Sequence, residues 1–81
     1  MLKNSKEQME MARRIGQWVQ AGLNCREWSR ETLARKIGLS LNGVHLICRG
    51  EVVPKMETLD KIIKVYRASK KKVIENLGLF Y

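Results

Sequence analysis

Eighty-one residues allow one domain, here residues 1–81, whose core buries only roughly 60–65% of the unfolded chain's surface; so small a scaffold disfavours an enzyme. Sixteen Lys and Arg against eight Asp and Glu leave a net charge near +8, an excess suited to a polyanion such as nucleic acid or an acidic membrane surface. No apolar run approaches the ~20 residues of a membrane helix, and Met1 to Arg14 is polar and charged, without a signal peptide's apolar stretch. Cys25 and Cys48 make no metal-ligand spacing with the single His45 and are too few for a disulfide framework, so they read as reduced thiols of a cytoplasmic protein. With no nucleophile–base pair, metal cluster or phosphate-cradling glycine loop, neither catalysis, a cofactor nor a metal is expected.

Helical period outweighs strand-like alternation along the chain. A first helix is expected from about Ser5 to Leu23, with Ser5 and Gln8 as a capping box and Met9, Ala12, Ile15, Val19 and Trp18 sharing a face. Gly22 and Asn24 read as its stop signals. Ser29 caps a second helix over Arg30 to Ile37, with Leu33, Ala34 and Ile37 inward and Gly38 at its end. Ser40 caps a third, from about Leu41 to Arg49, which buries Val44 and Ile47 and stops near Gly50. After a loop over Glu51 to Pro54, the proline pre-sets the first turn of a fourth helix, Met56 to Arg67, with Met56, Leu59, Ile62, Ile63 and Tyr66 periodic. Ser69 caps a last helix, Lys70 to Leu77, with Val73, Ile74 and Leu77 inward and Gly78 as its stop. The fold class is therefore all-α, a compact five-helix domain.

The stretch RETLARKIGLSLNGVHLICRG, Arg30 to Gly50, carries a mechanical argument of its own. Ala34 is small where the second and third helices cross closely. Gly38 stands where the chain turns sharply, and glycine alone takes φ > 0 without a Cβ penalty. Val44 and Ile47 return to the core at i, i+3 and pin the third helix across the second, leaving its N-terminal outward face free for a groove. That is helix-turn-helix geometry, spanning about residues 30–49.

From about Val19 to Leu77 the sequence resembles the Xre-type helix-turn-helix family, which includes the lambdoid phage repressors and Cro-like proteins. The resemblance rests on Trp28-Ser29-Arg30, Leu33-Ala34, Gly38-Leu39-Ser40, Arg49-Gly50 and the run Pro54 through Leu59. It implies a lambda-repressor-like fold that binds double-stranded DNA, with Leu41, Asn42, His45 and Leu46 facing base edges. Ser29, Arg30, Arg49 and Lys55 would then contact phosphates, helped at Ser29 and Arg30 by a helix N-terminus. Two departures stand out: Leu41, Gly43 and Leu46 replace the polar residues common at base-facing positions, and Cys48 replaces a glutamate often paired to an arginine of the first helix. Gly43 also weakens the third helix by about 1 kcal/mol relative to alanine.

Other residues favour plainer roles. His45 lacks a second ligand at i+3 or i+4, Cys48 reads as a small apolar residue, and Trp18 and Trp28 as core residues. Glu57 with Lys61 and Asp60 with Lys64 are ordinary i, i+4 surface pairs, and Lys70-Lys71-Lys72 a solvated face. The apolar tail at 77–81, with Leu77, Leu79, Phe80 and Tyr81, favours a homodimer through the C-terminal region. The function expected is a transcriptional repressor of phage, plasmid or mobile-element type. Its rival is a module for a protein partner, such as an antitoxin, because Leu41, Leu46 and the tail also suit a protein surface.

Overall fold

The computed structural model describes residues 5–78; the expected cap from the Ser5 side chain and the tail residues Leu79, Phe80 and Tyr81 lie outside the described residues. Five helices follow one another, α1 (Ser5–Arg26), α2 (Arg30–Ile37), α3 (Leu41–Cys48), α4 (Met56–Tyr66) and α5 (Lys70–Leu77). Among the described residues there is no strand. No helix is long and apolar enough to cross a membrane.

At 1.5 Å per residue α1 is about 33 Å long, so it runs the whole 34 Å length of the molecule. Its inward face is Met11, Ala12, Ile15, Val19 and Leu23, spaced by three and four residues. The expected inward Met9 is instead 69% exposed. The face follows the i−4 step from Ile15 to Met11, and Met9 lies off that line. The expected stop at Leu23 is also wrong, because the helix passes through Gly22 and Asn24 to Arg26. Gly22 is there for space: a Cβ would sit 2.3 Å from Cε2 of Tyr66. The Asn24 side chain is occupied by Gln20, whose Nε2 donates to its Oδ1 at 2.9 Å. The helix ends where Glu27 turns left-handed, φ 57°, and the Trp28 N–H donates back to the Leu23 carbonyl at 3.0 Å.

Arg26 ties that end to α4. Its guanidinium donates to the carbonyls of Gly22 at 3.0 Å and Tyr66 at 2.6 Å, and stands 4.1 Å from the Tyr66 ring centroid. The Tyr66 carbonyl is one of the orphan acceptors at the C-terminus of α4, so a cation on α1 caps α4. Trp18 and Trp28 pack beside Tyr66, with ring centroids 5.2 and 6.0 Å away, and both are partly buried against the core, as their spacing predicts.

Leu33 of α2, Val44 and Ile47 of α3, Leu59, Ile62, Ile63 and Tyr66 of α4, and Val73 of α5 close on the α1 face. Burying each large aliphatic side chain contributes about 1.5–3 kcal/mol. Pro54 does not open α4 as expected: the N-cap is Lys55, in extended conformation at ψ 154°, and Pro54 is buried one residue before it. Helical geometry begins only at Met56, whose side chain packs against the core. α4 closes on Arg67, left-handed at φ 56°, with the Ala68 N–H donating to the Ile63 carbonyl at 3.0 Å. Asp60 does not pair with Lys64 as expected but with Lys70 at the start of α5, at 3.1 Å.

A second close approach, between α1 and the end of α3, is one of backbone on backbone. A Cβ on Gly16 of α1 would lie 2.5 Å from the Ile47 carbonyl oxygen, 3.0 Å from that of Cys48 and 3.0 Å from the Gly50 nitrogen. Gly50 returns the contact, its own Cβ position falling 3.0 Å from Cα of Arg13. Gly16→Ala gains up to about 1 kcal/mol of helix propensity but must push a carbonyl aside, at about 1–3 kcal/mol. The expected outcome is a lowered urea midpoint with an unchanged slope.

Tyr66 is buried and its hydroxyl donates to the Val19 carbonyl at 2.6 Å. Burial first, then the neighbouring Cys48, push its phenol above the ordinary value near 10, with Arg26 pulling partly back. Above pH 10 the unfolded chain therefore loses this proton while the folded chain keeps it, so stability falls as pH rises from there. Tyr66→Phe is expected to cost about 1 kcal/mol at neutral pH and to flatten the alkaline decline, read by urea titrations across pH.

Candidate nucleic-acid interface

Two capped helices joined by a tight turn make the candidate site. Ser29 accepts the Thr32 N–H at 3.1 Å and so fixes the start of α2; Ser40 accepts the Gly43 N–H at 3.0 Å and fixes the start of α3. Between them Gly38 is left-handed at φ 70°, and the Leu39 N–H donates to the Ala34 carbonyl at 3.0 Å. Nothing lies within 4 Å of a Cβ placed on Gly38, so the turn needs glycine for its dihedral and not for space. Gly43, counted above as a weakness of α3, meets the Leu39 side chain: a Cβ there would be 3.1 Å from its Cγ and Cδ2. α3 closes at Gly50, φ 71°, with the Glu51 N–H donating to the Leu46 carbonyl at 3.0 Å.

Val44 at 1% and Ile47 at 3% exposure define the inner side of α3. At about 100° per residue the opposite side is centred on Asn42 and Arg49, flanked by His45 and Leu46. Asn42 and Arg49 are exposed; His45 and Leu46 are half-buried. Leu41, one of three exposed large apolar residues among those described, lies at the rim of that side.

The expected phosphate-contacting residues fall in three settings. Ser29 and Lys55 are exposed at the N-caps of α2 and α4. Arg49 is exposed but pairs with Glu51, Nε to Oε2 at 3.0 Å, an ion pair weak enough in water to exchange for another anion. Arg30 is part-buried: its Nε donates to Oε1 of Gln20 at 2.9 Å and its Nη1 lies 3.0 Å from Nδ1 of His45. Gln20 was not singled out by sequence, since a glutamine ten residues before its partner, on another helix, leaves no local periodicity.

Cys48 faces the same junction half-buried, while Cys25 is exposed on α1. Burial pushes the Cys48 thiol up, and Arg30 offsets only part of that. Among the described residues no three His, Cys, Asp or Glu gather into a metal site.

A family model described as a helix-turn-helix domain matches residues 5–73. The chain belongs to the helix-turn-helix domain family. This is the fold of DNA-binding regulators, whose second motif helix reads the major groove. In this helix-turn-helix domain α3 is the second helix of the motif. No curated protein and no solved structure matches the chain.

A thiol reagent near neutral pH is expected to modify Cys25 of the native domain quickly and Cys48 only slowly, because only thiolate reacts and burial disfavours it. Peptide mapping of the labelled protein reads the order; equal rates would contradict the packing described for Cys48.

Proposed function

We propose that this chain is a sequence-specific transcription regulator of Xre type, a repressor of the phage, plasmid or mobile-element kind, acting in the cytoplasm as a homodimer of single-domain subunits. The observation that carries the reading is the two-sidedness of α3: Val44 and Ile47 lock it into the core while Asn42 stays exposed at the centre of its outer face. Asn42 can bond adenine N6 and N7, with His45 beside it, and Leu41 and Leu46 can pack on thymine methyls. Ser29, Arg30, Arg49 and Lys55 supply phosphate contacts, and the net charge near +8 draws the domain to duplex. A second copy, paired through the C-terminal region, sets two α3 helices about 34 Å apart on a palindromic site. Occupying an operator excludes polymerase.

A protein partner, as for an antitoxin, is the second reading. Met9 at 69% and Val52 at 38% exposure favour it, because both border open surface hollows between the first half of α1 and the α3–α4 loop, one of which reaches Arg49 at the edge of the outer α3 face.

In a mobility-shift assay on a site selected from random duplex, Asn42→Ala is expected to lose about 5- to 100-fold in specific affinity with little change on unrelated DNA. Log K should fall linearly with log salt, and Lys55→Ala should shallow that slope by about 0.9. Failure to select any site, together with indifference to duplex at low salt, refutes the regulator.

A further inference from the structure

We propose that Arg30, held in place by Gln20, locks His45 in the tautomer with its hydrogen on Nε2 and thereby makes His45 a fixed donor that reads guanine; this rests on the DNA-binding reading above. The lock follows from donor and acceptor polarity. A guanidinium carries only N–H donors and stays protonated. Its Nη1 stands 3.0 Å from Nδ1 of His45, so in the neutral ring Nδ1 accepts and the hydrogen is on Nε2. The arginine is oriented in turn: its Nε donates to Oε1 of Gln20 at 2.9 Å, and the amide nitrogen of Gln20 donates to Oδ1 of Asn24 at 2.9 Å. Arg30, a donor only, sets the direction on both sides: Gln20 accepts with Oε1, which leaves its amide nitrogen to donate to Asn24, and His45 accepts with Nδ1, in a chain that runs from α1 through α2 to α3.

His45 lies on the outer half of α3 beside Asn42. Among the described residues no group bonds its Nε2, which is not among the buried unpartnered atoms. A fixed N–H donor there discriminates by base edge. Guanine offers N7 and O6, two acceptors side by side, and thymine the single acceptor O4 beside its methyl; adenine sets an amino group beside its one acceptor; cytosine offers only an amino donor. The locked ring therefore favours guanine, which doubles the acceptor, and refuses cytosine, whereas an unlocked imidazole would present a donor or an acceptor at Nε2 and would also take the amino groups of adenine and cytosine. Gln20 and Arg30 are thus positioning residues for a base contact made by another side chain.

Long-range 15N correlation spectra of the free protein, above neutral pH, test the lock without DNA. The expected result for the unaltered chain is a pyridine-like Nδ1 and a pyrrole-like Nε2 at His45, moving to averaged shifts in Arg30→Ala and in Gln20→Ala; the second variant keeps the test open if the first does not fold. In site selection, the unaltered chain should enrich guanine opposite His45 by about fivefold or more over adenine, and Gln20→Ala should reduce that to about twofold. A hydrogen on Nδ1, a tautomer unmoved by both substitutions, or a selected site with no base preference opposite His45 overturns the proposal. If no site is selected at all, the regulator reading and the base-reading role fall together, while the spectra still decide whether the lock exists.

Discussion

The backbone contact between α1 and the end of α3 is the constraint from which the rest of the domain follows. Gly16 lets the Ile47 and Cys48 carbonyls approach α1 closer than any side chain would allow, and Gly50 lets the chain leaving α3 pass over Arg13. The C-terminal half of α3 is thereby fixed against a helix that runs the full length of the molecule. Ser40 and the left-handed Gly38 fix the other half through the turn from α2. An eight-residue helix has too few turns to be stable by itself, so its position is set almost wholly by these neighbours. Only because both ends are held does the outer side of α3 have a defined geometry to offer.

The two kinds of support differ in chemistry. Apolar packing by Val44 and Ile47 sets the depth and tilt of α3 but says little about the orientation of side chains on its far side. Directional bonds do that. The polar chain from Asn24 to His45 crosses three helices, exposed at its Asn24 end and part-buried at the two Arg30 bonds, where thinner solvent strengthens hydrogen bonds without stranding the arginine. The clasp of Arg26 on the Tyr66 carbonyl acts likewise at the other end of α1, holding α4 so that Tyr66 fills the space left by Gly22. In both places an arginine is partly buried for its geometry, as a planar fork with several donors, and not for its charge alone.

Much of the fold was legible in the sequence. The bounds of α2 and α5, the serine caps at Ser29, Ser40 and Ser69, the turn at Gly38 and most inward residues of α2 to α5 all follow from short-range spacing and local dihedral preference. What was not legible depends on contacts distant in the chain. Gly22 reads as a helix stop by itself and becomes a helix-interior residue only when Tyr66, from another helix, fills the space above it. Met9 lies three residues before Ala12 and Met11 four before Ile15, and the core takes the second of these lines, burying Met11 and leaving Met9 outside. Asp60 has acceptable partners on its own helix, but Lys70 reaches it from the next. At the candidate site the caps and exposed α3 residues were readable, whereas the Gln20–Arg30–His45 connection was hidden because each member sits on a different helix.

Two of the helices end without glycine, and this has a bearing on how the domain can change. Glu27 and Arg67 both adopt a left-handed backbone, a conformation that costs a residue with a Cβ about 1–2 kcal/mol. Neither lies in the turn before α3 or on α3 itself. Glycine at either junction would therefore relieve backbone strain and raise heat resistance while leaving the placement of α3 untouched, whereas a change at Gly16 or Gly50 would alter heat resistance and the seating of α3 together.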